Sequence, residues 1–194
     1  MNSKRMSTQT LVLGAIMTAF VVLFQLIGTF TTFFGPLSTA LALIPIVIGA
    51  AMCGTGVGAW LGLVFGMVVL ISVKGTQPFI AFDVPGTVIT VLAKGIGCGF
   101  AAGLVYNLLK KFNTYFAVVC TSIICPAVNT GIFLLGCRLF FMDDALKIAE
   151  ALHIKGTTGM ALFVGMATAN FLFELGANVV VSPIIVRLLN IKRG

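Results

Sequence analysis

"GTVITVLAKGIGCGFAAGLVY", residues 86–106, is a run of apolar and small residues broken by one charge, Lys94. An ammonium at the centre of a membrane helix costs roughly 2.5–3.5 kcal/mol on insertion scales. Such a lysine is kept only where it faces a protein interior or a polar cavity. The same stretch carries Gly95, Gly99 and Gly103 at a spacing of four, which lays a smooth stripe along one helix face. Both features describe a membrane helix packed among others.

The surrounding composition agrees. Of 194 residues, 59% are hydrophobic and 9% charged, with a mean hydropathy of +1.15. Soluble domains carry about 25% charged residues, so this chain cannot build a water-facing surface. A hydrocarbon core of about 30 Å takes roughly 20 helical residues. Six segments meet or approach that length: 9–30, 36–53, 57–73, 85–109, 114–140 and 160–188. The expected fold class is all-α, a six-helix integral membrane bundle forming one membrane domain over 1–194. Lys4 and Arg5 precede the first apolar run like a signal peptide, but no small-residue cleavage site follows, so this run reads as the first membrane helix.

Basic residues set the orientation. Lys4, Arg5, Lys110, Lys111, Arg187, Lys192 and Arg193 fall on the side of the N-terminus, and Lys74, Lys147 and Lys155 fall opposite beside the acidic residues. By the positive-inside rule both termini are cytoplasmic. The net charge of +7 is this asymmetry and calls for no nucleic acid. The five cysteines lie in apolar segments without a C-x-x-C, and the one histidine, His153, sits in a loop, so neither a metal site nor a cofactor is expected.

Gly54, Gly58, Gly62 and Gly66 form a second stripe in the third segment, read with the first as internal packing. Ala15 and Ala19 mark a milder contact face on the first helix. Residues 141–155 read as a short amphipathic helix, with Leu146, Ala149 and Leu152 on one face, or as a plain connector.

Polar residues inside the spans are few: Lys94 in the fourth, Asn129 and the outer-end Arg138 in the fifth, and Asn170, Glu174 and Asn178 in the sixth. The last three are each four apart and stack on one face. Lys94 and Asn170 both lie about 15 Å down their helices from the outer side. Either Lys94 pairs with Glu174 as a structural salt bridge, or these groups line a cavity for a polar solute; the two are compatible. Gln77, Phe79, Phe82 and Asp83 would gather at its outer mouth, giving an aromatic lid.

Four phrases then resemble a known family: "FGPLSTALALIPIVIGAAMCGTGVGAWLGLVFG", "PGTVITVLAKGIGCGFAAGLVYNLLKK", "PAVNTGIFLLG" and "NFLFELGANVVVSPII". Their order and spacing, with A-x-x-x-A in the first helix, are similar to the substrate-binding S components of energy-coupling factor (ECF) vitamin transporters. The resemblance is strongest to the pantothenate/folate-type branch. It implies capture of a vitamin from outside across a bacterial-type plasma membrane, with a separate transmembrane scaffold and two ATPase subunits driving release. It also implies that Ala15 and Ala19 dock the scaffold. No G-x-x-x-x-G-K-[ST] is present, so ATP would be hydrolysed by other chains.

On that reading Lys94 meets an acidic group, and Asn129, Asn170 and Glu174 hold hydroxyl or amide groups. Trp60 or Phe79 covers the apolar part. One Trp and two Tyr suit a small aliphatic acid such as pantothenate better than a pterin, while 17 Phe leave riboflavin or cobalamin open. The rival reading is a dimeric ion-coupled secondary transporter or channel using Lys94 and Glu174 as a relay. An enzyme is not expected: the chain has no Ser/His/Asp constellation.

Overall fold

The computed structural model describes residues 7–30, 41–72, 79–145, 147–148 and 159–193. Among them run six helices: α1 (Thr8–Phe30), α2 (Leu43–Cys53), α3 (Thr55–Ile71), α4 (Val84–Leu109), α5 (Thr114–Phe140) and α6 (Met160–Arg193). No strand occurs among the described residues. Four helices, α1, α4, α5 and α6, are long and apolar enough to cross a membrane. Leu11, Ile16, Phe20, Ile89, Phe100 and Val180 are among the large apolar side chains they turn outward.

Three helices depart from the spans expected. The third, expected over 57–73, runs Thr55–Ile71 and at 17 residues is shorter than the four spans. The second was expected from 36; 36–40 lie outside the described residues, 41–42 form a turn and α2 begins at Leu43. At 11 residues it is about 16 Å long, too short to span alone. It is instead a central core helix: Leu43, Ile46, Val47 and Ala50 are fully buried, and it touches all five other helices. The sixth runs beyond 188 to Arg193, since no Gly or Pro follows Pro183 before Gly194. Of the 141–155 stretch, 145 and 147–148 are helical; Leu146 and 149–158, His153 included, lie outside the described residues.

Local chemistry sets the helix ends. Gly54 joins α2 to α3 at φ +94°, a left-handed conformation that side chains resist. Asp83 caps α4 by accepting from the Gly86 amide at 3.1 Å, with Pro85 in the first turn, where its missing N–H costs nothing. Asn113 caps α5 by accepting from the Tyr115 and Phe116 amides at 2.8 and 3.2 Å.

The two glycine stripes meet. Gly58 faces Gly99, Gly62 faces Gly95 and Gly66 faces Val91, so α3 and α4 run antiparallel with their backbones in contact. A Cβ on Gly62 would collide with the Gly95 carbonyl, and one on Gly99 with that of Gly58. At the end of this seam nearest the α2–α3 turn, Gly103 lies against the Thr55 backbone, and Asn107 Nδ2 donates to Thr55 Oγ1 at 3.3 Å.

Apolar burial falls into two clusters. The larger runs through α2, α3, α4 and α5 with Val21 of α1 and Ile185 of α6. The smaller joins Phe79, Cys137, Phe141, Ala145, Ile148, Leu162 and Phe163 at the other end. Substituting Gly62 with Ala should therefore lower the thermal midpoint of the detergent-purified protein, by at least the roughly 1–3 kcal/mol typical of overpacking. Gly56→Ala, on the same helix where an added Cβ meets nothing within 4 Å, should be neutral or slightly stabilising. Equal midpoints for the two variants would contradict the seam.

Candidate functional site

Lys94 lies ten residues into α4, about 15 Å from Val84, one position off the glycine seam. That register carries its side chain between α3 and α5. The Nζ stands 5.9 Å from the ring centre of Phe65 on α3 and 5.4 Å from that of Phe133 on α5. A desolvated cation over aromatic faces gains about 2 kcal/mol. That attraction offsets part of the burial cost and leaves the ammonium hydrogens available.

Beside it is a cavity of about 40 Å³, lined by Val69, Phe79, Thr87, Thr90, Val91, Lys94, Phe133 and Phe141. Val69 and Val91 belong to the larger apolar cluster, Phe79 and Phe141 to the smaller, so the cavity marks where the two meet. Phe79 closes it. Its ring contacts Phe133 edge-on at 5.8 Å, Phe141 edge-on at 5.1 Å and Phe163 at 6.3 Å. The space beneath this aromatic cap holds a water-sized group.

On the next interface, Asn170, Glu174, Asn178 and Ser182 of α6 follow one another at intervals of four and face α5. Glu174 is 1% exposed. Its carboxylate accepts from Asn170 Nδ2 at 2.7 Å and from Asn129 Nδ2 at 3.3 Å. Asn178 Nδ2 donates to the Glu174 carbonyl at 2.8 Å, and Ser182 Oγ donates to the Asn178 carbonyl at 3.0 Å while meeting Ser122 Oγ at 3.0 Å. Pro126 and Pro183 sit inside α5 and α6, each removing an amide from its helix ladder beside this polar row. The carbonyl-side oxygens of Asn129 and Asn178 are buried without a partner among the described residues.

Lys94 and Glu174 do not form the salt bridge that was one expectation. Among the described residues the ion pair is Lys147 with Asp144, 2.6 Å apart at the surface. Lys94 and Glu174 lie within electrostatic range of each other but beyond 4.0 Å.

The structure thus gathers Lys94, Phe79, Asn129, Asn170 and Glu174 into one region. Gln77 lies outside the described residues. Arg138 is exposed in the last turn of α5 and does not line the cavity. Trp60 is elsewhere altogether: it is 53% exposed, and its indole N–H donates to Thr18 Oγ1 of α1 at 3.3 Å. With Ala15 it borders an open apolar groove of about 740 Å³ between α1 and α3. That groove is larger than the Lys94 cavity but holds no charged side chain. Its hydroxyl of Thr18 is already satisfied at the Gly14 carbonyl, so it is a surface for apolar contact rather than for recognition of a polar solute. Thr90, Ser122 and Ser182 were missed in the sequence; Ser182 continues the spacing of four begun at Asn170.

No curated protein and no solved structure matches the chain. A family model described as "ECF transporter, substrate-specific component" matches residues 9–186. Taken over nearly the whole length of a helical chain with four apolar spans and a polar layer buried between them, that match is decisive: the chain belongs to the substrate-specific component family of ECF transporters, membrane transport subunits rather than enzymes.

Proposed function

We propose that this S component captures a small carboxylate-bearing vitamin, pantothenate before folate, on the outer side of the cell membrane. Riboflavin and cobalamin are the further candidates. The observation that carries this reading is Lys94: a cation inside the bundle, held by ring faces alone, with no carboxylate within ion-pairing distance among the described residues. A carboxylate from outside supplies the missing counter-charge. The Asn129–Glu174–Asn170 group suits the hydroxyl and amide groups that such an acid carries.

The proposed orientation has both termini cytoplasmic, which places Val84, Phe140 and Met160 at the outer ends of their helices and the aromatic cap toward the outside. Capture then requires Phe79 to move away and return, sealing the solute from water. Energy for release would come from the scaffold and two ATPase subunits implied by the family. Ala15 and Ala19, both exposed on α1, are the proposed docking face. A self-sufficient ion relay has less support, because it needs Lys94 and Glu174 to exchange protons and they are not in contact.

A vitamin panel titrated into the purified chain tests capture. A ligand at a hundred times its Kd should stabilise by about 2.7 kcal/mol, read as a saturable rise in thermal midpoint. Lys94→Ala should weaken that response at least tenfold. A vitamin that binds Lys94→Ala as well as the wild type would remove the central residue of the reading. Docking is tested separately: Ala15→Leu with Ala19→Leu should leave vitamin binding intact but prevent co-purification with the scaffold and ATPases. Normal co-purification of that variant would refute the α1 face.

A further inference from the structure

We infer that Thr90, together with Lys94, forms a compact subsite for a single carboxylate group, with Thr90 as a substrate-binding residue in its own right. This rests on the reading that Lys94 receives an acid, and it adds a second donor.

The observation is a threonine that breaks the local rule. Thr18, Thr87, Thr121 and Thr168 each donate their hydroxyl to the carbonyl four residues back, at 2.6–2.8 Å. That is the ordinary resting place of a helical threonine. Thr90, one turn before Lys94 on α4, is 4% exposed, and its Oγ1 has no hydrogen-bond partner among the described residues. Leaving a buried hydroxyl unsatisfied is costly, and the bond that other helical threonines make to the carbonyl four residues back is forgone. The side chain packs instead on Gly136 of α5, where the missing Cβ gives it room, and lines the Lys94 cavity.

The cavity's other walls decide the ligand. Val69, Phe79, Val91, Phe133 and Phe141 present only carbon, and the Thr87 hydroxyl is committed to the Asp83 carbonyl. The remaining polar groups are an ammonium, which can only donate, and one hydroxyl. Such a site selects an acceptor-rich anion. Its volume of about 40 Å³ has room for one carboxylate group. The rest of the solute must extend out of the cavity, past Phe79 or toward Asn129.

Sodium formate is the probe, titrated into the purified full chain at constant ionic strength held with sodium chloride, whose spherical anion lacks the paired acceptor oxygens of a carboxylate. The expected result is a saturable rise in thermal midpoint for the wild type. The apparent Kd should rise about tenfold or more in Thr90→Val, stay near wild type in Thr90→Ser, and be unmeasurable in Lys94→Met. Thr90→Ala serves as a second hydroxyl-free variant should valine crowd Gly136, and it should behave as Thr90→Val. No saturable formate response in the wild type, or one unchanged by removing the Thr90 hydroxyl, overturns the subsite. The two readings separate cleanly. A vitamin that binds through Lys94 yet ignores Thr90→Val refutes the subsite and spares vitamin capture. A Thr90-dependent formate response with no vitamin bound supports the subsite and refutes vitamin capture.

Discussion

Backbone contact between α3 and α4 is the constraint on which the bundle depends. Lipid offers no hydrophobic drive to bring helices together, so close association relies on surfaces that let van der Waals contacts accumulate. Here three levels of glycine or glycine and valine face one another, with carbonyls occupying the places side chains would take. Once the seam is shut, the register of everything beside it is set. Phe65 and Val69 stand next to Val91 and Lys94, and α5 and the short α2 pack against the pair. The site is a by-product of that closure, since Lys94 is one residue away from Gly95.

Between the two apolar clusters lies a layer in which opposite charges are kept apart. Glu174 is held by two amide side chains and Lys94 by two aromatic rings. A direct bridge would neutralise both and cost less to bury, but on the proposed reading it would also occupy the groups that a solute reaches. Breaking a buried pair to admit a ligand costs several kcal/mol. Holding each charge through neutral neighbours avoids that cost, and on the proposed reading it leaves donors and acceptors in place for a ligand.

Much of this was legible in residue spacing. The two glycine stripes, the stacked Asn170, Glu174 and Asn178, and the lone Lys94 each fixed a face, and the faces meet as their spacing implies. Trp60 shows what was available and unused. It is two residues from both Gly58 and Gly62, about 200° around the helix from either, so a stripe turned toward α4 turns Trp60 away from it. The length of α2 was not legible. Residues 36–53 are apolar enough throughout that nothing separates a membrane span from a buried core helix until its neighbours are known. Thr90 was hidden for another reason: a threonine on an apolar helix normally satisfies itself, and only the absence of that bond marks it.

The position of Trp60 has an optical consequence. It is the chain's single tryptophan, bonded to Thr18 across the α1–α3 groove rather than set beside Lys94. Its emission therefore reports polarity at the lipid-facing side of α1, next to Ala15, and is largely blind to the aromatic cap. Events in the cavity must be followed by other signals, leaving the indole as a built-in sensor for whatever helix or lipid comes to lie along that groove.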